Sequence, residues 1–433
     1  MNNSVSQELL KFLQKSPTAF HAVQQMKSEL LAVDFTELKE NQRWNIECGK
    51  HYFVTRNDSS LIAFTIPENG IDKMHILTSH SDSPTFKIKE NPEIEVEKHY
   101  VKLNVEKYGG MLCAPWFDRP LSVAGRVIIK DKTNGQFTSK LVNIDRDLVM
   151  IPNLAIHMNR EINSGYNYNA QKDLLPLYGC GSPKGTFMEQ IAEAAGVEKD
   201  EILGHDLFLY NRQEGSIWGA SEEFISSGRL DDLQCAFASL QGFLSFSSLQ
   251  GFLSGEKKDC MAVHCVLDNE EVGSGTKQGA ASTFLFDTLI RVHEALGYDG
   301  EDYRVHLADS FMISADNAHA VHPNYTEKAD PTNRPYLNEG IVLKFNANQK
   351  YCTDAVSAAM FRDLCKRADV PVQTFTNRSD MAGGSTLGNI SNTQVALNTV
   401  DIGLPQLAMH SPYETAGVKD TEYLVRAAKE FFC

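Results

Sequence analysis

The sequence predicts an α/β fold: a mostly parallel sheet flanked by helices, interrupted by an inserted β-rich unit. From about residue 224 onward, short apolar runs alternate with helical segments, the pattern of a parallel sheet covered on both faces. Several of the apolar runs along the chain end in His, Asp or Glu. Between about residues 93 and 223 the texture changes to short alternating segments separated by Gly, Asn and Asp turns. The expected division is 1–92 and 224–433 for the α/β unit and 93–223 for the insert.

Taken in order, Leu9, Leu10, Phe12 and Leu13, then Ala19, Phe20, Ala22 and Val23, recur at helical spacing. Ser16-Pro-Thr18 breaks that segment into two helices. His51 to Pro67 alternates around Asn57-Asp-Ser-Ser60 and reads as a hairpin. Lys73–Ser79 is a strand that runs into His80-Ser-Asp82-Ser-Pro84. Inside the insert, 101–105, 123–130 and 137–142 read as strands, and the stretch from Pro152 through His157 to Asp173 as loop. Met261–Leu267 has the length and β-branched content of a buried strand and ends in Asp268-Asn-Glu-Glu-Val-Gly-Ser-Gly275. Helices are expected over 232–246, 279–295, 355–367 and 420–432. Ser239–Ser245 nearly repeats as Ser248–Ser254; two copies at so short a period are a local duplication, not a solenoid.

Composition narrows the class. With 433 residues and 42% hydrophobic content the chain can build one large core or two domains. It has no apolar run of about eighteen residues, so no membrane span is expected. The first residues lack the basic start and apolar block of a secretion signal. Nine scattered cysteines without Cys-x-x-Cys pairs argue against a disulfide framework and for a reducing cytoplasm. A net charge of -15 disfavours nucleic-acid binding, and an acidic ligand would need a local cation.

Six residues at five places along the chain carry metal-ligand chemistry in similar contexts. His80 follows a strand, Asp231 precedes a helix, Glu270 and Glu271 close the Met261 strand, and Asp316 and His410 follow apolar runs. Each has an ordinary explanation on its own; Asp231 or Asp232, for instance, suits a helix N-cap. Together, two histidines and three carboxylates suit zinc, with manganese or cobalt as alternatives. A carboxylate shared by two ions gives the two-metal arrangement. Asp82, two residues beyond His80, can accept the imidazole's other N–H. One glutamate is left over, as water-activating hydrolysis requires.

His80-Ser-Asp-Ser-Pro, Arg229-Leu-Asp-Asp, Asp268-Asn-Glu-Glu-Val-Gly-Ser-Gly, Ser314-Ala-Asp-Asn-Ala-His-Ala-Val-His-Pro-Asn-Tyr325 and Gln406-Leu-Ala-Met-His-Ser411 occur in this order. They resemble the signature blocks of the aspartyl aminopeptidase family, which includes vacuolar aminopeptidase I. The resemblance spans nearly the whole chain and implies a dinuclear zinc exopeptidase fold. It implies that His80, Asp231 and Asp316 hold one metal, and that Asp231, Glu271 and His410 hold the other. Glu270 would be the base and Asp82 the partner that orients His80. The family's Arg-Leu-Asp-Asn is Arg-Leu-Asp-Asp here, which leaves Asp231 or Asp232 as the shared carboxylate. The insert carries Trp116-Phe-Asp-Arg-Pro-Leu and Ile151-Pro-Asn-Leu-Ala-Ile-His157, blocks that in relatives drive oligomerisation and bring a histidine to an active site. His157 would serve the substrate or oxyanion, or stand as a third histidine ligand. Lys344 matches the family's lysine for an acidic side chain, and His322 joins the substrate-binding set.

The implied activity is a cytoplasmic aminopeptidase that removes Asp or Glu from short peptides, assembled as a homo-oligomer, by resemblance a dodecamer. A deacylase or carboxypeptidase on the same two-metal site, an aminopeptidase for neutral residues, and a catalytically silent shell protein are the alternatives. An intact ligand set with Glu270 weighs against the last.

Overall fold

The structure, a computed structural model, describes residues 4–181, 183–248 and 259–432. Its spine is a nine-stranded sheet. Cys260–Leu267, Lys73–His80, Phe311–Ala315 and Asn398–Gly403 lie side by side and parallel at the centre. The hairpin His51–Arg56 and Ser60–Thr65 joins one flank antiparallel, and Ile341–Phe345 joins the other antiparallel. Alternation along the Cys260–Leu267 strand sends Ala262 and Val266 into one helical layer and Met261, Val263 and Cys265 into the other. The first layer contains Ser4–Lys15, Ala19–Leu31, Leu230–Ser247, Ala355–Arg367 and Asp420–Phe432; the second contains Phe284–Ala295 and Gly300–Ala308. With both faces covered, all of Cys260–Leu267 is buried, which is why it reads as a continuous apolar run.

The break at Ser16–Thr18 and the hairpin turn fall where expected. The helix expected from 279 begins at Phe284. The residues before it are turns, packed so that a Cβ on Gly279 would sit 2.3 Å from the Ser274 carbonyl oxygen. The first copy of the duplicated segment lies in the Leu230–Ser247 helix; most of the second lies outside the described residues.

The insert forms a six-stranded antiparallel sheet between Thr85 and Asn211, with its own core that includes Phe86, Leu103, Trp116 and Leu207. The expected boundary at 93 falls inside the strand Thr85–Val96. A register shift between Ile88 and Glu93 makes the polar stretch there look like a break. At the far end, Ser216–Trp218 pairs with Phe224–Ser227 and so belongs with the α/β unit.

A third, five-stranded sheet had no counterpart in the sequence reading. It joins Ser216–Trp218, Phe224–Ser227, Glu414–Gly417, Pro405–Leu407 and Ala318–His319. The apolar run before His410 contributes only Pro405–Leu407, and to this sheet, not the central one. Among the described residues, no helix is long and apolar enough to cross a membrane.

Candidate metal centre

The central parallel strands deliver their carboxyl ends to one crevice, where open α/β sheets bind ligands. His80 is the last residue of its strand, and Asp316 follows Phe311–Ala315 directly. Glu270 and Glu271 sit in a single 3-10 turn, Glu270–Val272, just beyond Leu267. Asp231 lies at the start of the Leu230–Ser247 helix but has a non-helical backbone, φ -79° and ψ 109°. His410 follows the short strand Pro405–Leu407 with a left-handed φ of 66°.

These side chains form three overlapping groups of convergent ligand atoms: His80, Asp231, Asp232 and Asp316; His80, Glu270 and Glu271; and Asp231, Glu271 and His410. Asp231 joins them. Its Oδ1 lies 3.4 Å from His80 Nε2, and its Oδ2 lies 3.4 Å from His410 Nε2. Asp316 Oδ1 is 3.8 Å from His80 Nε2, and Glu271 Oε2 is 3.5 Å from His410 Nε2. Two atoms each about 2.0–2.1 Å from one tetrahedral zinc stand about 3.3–3.4 Å apart. The observed spacings fit shared ligation better than direct hydrogen bonding. Asp231 Oδ1 and Glu271 Oε1 are buried without a hydrogen-bond partner in the protein, a second sign that the donor set suits cations. Asp232 is turned differently: its Oδ2 accepts the His80 backbone N–H at 3.1 Å. Asp231 is thus the aspartate with one oxygen toward each histidine.

The electrostatics agree. Burial pushes the Glu270 carboxyl up to about 8, with Asp316, Asp231 and Asp82 adding and His80 opposing. Burial and then Asp231 raise Glu271. Burial opposes a charge on His80, yet the carboxylates of Asp231, Asp232, Asp316 and Asp82 around it hold its pKa well above the ordinary range. So many carboxylates in one buried space cannot all ionise unless positive charge joins them.

Around the cluster is a shell of supports. His80 Nδ1 lies 3.1 Å from the Asp82 backbone oxygen and 3.4 Å from its carboxylate, so the main chain makes the closer orienting contact. The Asp82 carboxylate instead accepts the backbone N–H of Glu270 at 3.1 Å and of Glu271 at 3.2 Å. Glu414, which the sequence reading missed, accepts the Asp231 N–H at 3.0 Å and the His410 N–H at 2.7 Å. Tyr108, also missed, donates to Asp82 Oδ2 at 2.7 Å.

Lys344 is buried beside the cluster. Its ammonium donates to the Asn317 carbonyl at 2.8 Å and lies 3.7 Å from Asp316 Oδ2. Of the other expected site residues, His322 has contacts of its own: its Nδ1 accepts the Asn324 N–H at 3.2 Å and its ring packs on Tyr325. His319, from the same motif, ends the strand Ala318–His319 and feels the charges of Lys344, Asp231, His410 and Asp316. His157 is exposed on a turn of the insert and lies outside all three ligand groups.

The family model of aminopeptidase I zinc metalloproteases (M18) matches residues 12–432. A probable M18 family aminopeptidase 2 of Clostridium novyi is 48% identical over 440 residues, covering 100% of both chains. Among solved structures, the chain is similar to Ape4 in its cryo-EM complex with Nbr1, with a TM-score of 0.93, 36% identity, and coverage of 99% of this chain and 85% of that one. The S. cerevisiae mApe1 dodecamer gives a TM-score of 0.87 at 28% identity, covering 99% and 96%. These likenesses leave no place for the deacylase and carboxypeptidase readings. A match along nearly the whole length, together with a full-length relative close to half identical, places the chain in the M18 family of zinc aminopeptidases.

Proposed function

We propose that this aminopeptidase removes N-terminal acidic residues from short peptides with two divalent metal ions, zinc first. His80, Asp231 and Asp316 would hold one ion, and Asp231, Glu271 and His410 the other. The observation that carries the reading is Asp231, with an oxygen 3.4 Å from each histidine. Bound there, the ions would supply Lewis acidity, lowering the pKa of water and polarising the scissile carbonyl. Glu270 takes the proton from the attacking water and delivers it to the departing amine as the C–N bond breaks. Asp82 holds the Glu270–Glu271 turn through two backbone N–H groups, and Glu414 fixes the backbones of Asp231 and His410.

The acidic preference rests on Lys344, whose bond to Asn317 uses one of three ammonium donors. His319 adds a second polar group on the same side. The insert is the dimerisation unit, and the assembly is a closed oligomer like the yeast dodecamer, in which the exposed His157 would reach a neighbour's site. Nine cysteines scattered without Cys-x-x-Cys pairs support action in the cytoplasm. The test is a panel of aspartyl, glutamyl and leucyl substrates assayed with metal-stripped and zinc-reconstituted protein. Higher kcat/KM on leucyl than on aspartyl substrates would reject the acidic preference, and full activity without metal would reject the metal reading.

A further inference from the structure

We propose that the end of the inserted strand Tyr100–Tyr108, with Gly109 and Gly110 after it, is a working part of the metal centre, and that Tyr108 is a positioning residue for the Glu270–Glu271 turn. The inference rests on the roles proposed for those two glutamates.

The Tyr108 hydroxyl is used in both directions. It donates to Asp82 Oδ2 at 2.7 Å and accepts from Asn269 Nδ2 at 2.7 Å. Asp82 in turn accepts the N–H groups of Glu270 and Glu271. Asn269 is the residue before Glu270 and adopts a left-handed φ of 63°. Its other amide atom, Oδ1, accepts from Thr276 at 2.7 Å and Gln278 at 2.8 Å. One phenol therefore grips the turn from both sides, through the carboxylate beneath it and the residue that starts it. The Tyr108 ring is itself fixed edge-on to Phe208 of the inserted sheet, with ring centres 5.6 Å apart. Burial, with Asp82 and Asp268, raises its pKa, so the phenol keeps its proton to donate.

The next two residues extend the contact. Gly109 has a φ of 77°, and a Cβ there would lie 3.1 Å from Glu271 Cβ. Any larger residue would be strained and would press on that side chain. Gly110 passes close enough to His410 that an added Cβ would lie 3.9 Å from its Nδ1, and the Leu112 N–H donates to the His410 carbonyl at 3.1 Å. A segment of the insert thus touches both a proposed ligand and the turn that carries the base. Removing a partner that orients ligands in this way typically costs 10- to 100-fold in metal affinity or activity.

The experiment uses Tyr108→Phe in the full-length protein, which keeps the ring against Phe208 and deletes only the hydroxyl. Zinc content, kcat and KM are measured, and the visible spectrum of the cobalt-substituted protein is recorded. The expected result is full metal content, kcat lowered about 10- to 100-fold with KM little changed, and an altered cobalt spectrum. Tyr100→Phe, on an exposed tyrosine at the other end of the same strand, should match wild type. Wild-type kcat and an unchanged cobalt spectrum in Tyr108→Phe overturn the proposal. Should that variant not fold, Gly109→Ala decides on the same readouts, with a changed spectrum supporting and an unchanged one overturning. Glu270→Gln separates the two levels: if it stays active, the base assignment fails, whereas an inactive Glu270→Gln beside a normal Tyr108→Phe sinks only this inference.

Discussion

The ammonium of Lys344 lies 3.7 Å from Asp316 Oδ2, so the proposed specificity residue and a proposed metal ligand share one electrostatic environment. Burial works against the lysine's charge, and Asp316, with Tyr351, Asp401 and Asp231, more than offsets it. Lys344→Met is therefore expected to act on two levels. All substrates lose some rate because Asp316 loses a neighbour. Aspartyl and glutamyl substrates lose a further factor of about 10–100 in kcat/KM, the worth of one charged hydrogen bond. Equal losses on aspartyl, glutamyl and leucyl substrates would show that Lys344 serves only Asp316.

Glu270 and Glu271 are neighbours in one turn, yet Glu271 alone reaches His410, at 3.5 Å. Glu270→Gln is expected to keep its metal and lose about 10²- to 10⁴-fold in kcat, the range of general-base contributions. Glu271→Gln is expected to bind less metal, read by elemental analysis after dialysis. Metal loss in the first variant, with retention in the second, would reverse the assignment.

Removing the metal should loosen the fold. The cluster packs Asp231, Asp232, Asp316, Glu270 and Glu271 around two histidines, and divalent ions offset their mutual repulsion. Ions held at 100 to 1,000 times their Kd add about 2.7–4.1 kcal/mol of stability by mass action. Chelated protein is expected to melt lower, and zinc should restore the transition. Identical melting of verified metal-free and zinc-loaded protein would mean that this cluster does not bind metal in the native state.

The sequence carried those parts of the molecule whose cause is local. The strand Cys260–Leu267 was legible because burial on both faces leaves an unbroken apolar run. The proposed ligands could be picked out because most of them follow a strand in a short motif, as His80 and Asp316 do. The supports were not: Glu414 bonds Asp231 across 183 positions and Tyr108 bonds Asn269 across 161, and neither contact leaves a periodic trace. His322 and His319 stand three residues apart in one motif. His319 closes the short strand Ala318–His319 and feels the cluster's charges, whereas His322 lies beyond that strand and accepts the Asn324 N–H, a difference the motif alone does not display. The five-stranded sheet escaped for a similar reason, since strands as short as Ala318–His319 cannot display an alternating pattern.

His264 gives a pH dependence separate from the metal chemistry. It is fully buried in the central sheet, with Nδ1 3.2 Å from Ser239 Oγ, Nε2 without a hydrogen bond, and its ring stacked 5.8 Å from Phe243. Burial lowers its pKa from 6.5 to about 3. Between those values the unfolded chain binds a proton that the native chain refuses, so native stability falls as pH drops. The contribution is whole above about pH 6.5 and shrinks through the acid range, by about 2 kcal/mol at pH 5 at 1.36 kcal/mol per unit. His264→Leu removes the titrating group, and Ser239 keeps its hydroxyl bond to the Ala236 carbonyl at 3.0 Å. Denaturant unfolding of zinc-loaded wild type and variant at pH 7 and pH 5 isolates the effect, because acid weakens metal binding in both alike. Wild type is expected to lose about 2 kcal/mol more than the variant over that interval. Parallel losses would mean that His264 is protonated, or becomes exposed, in the native protein.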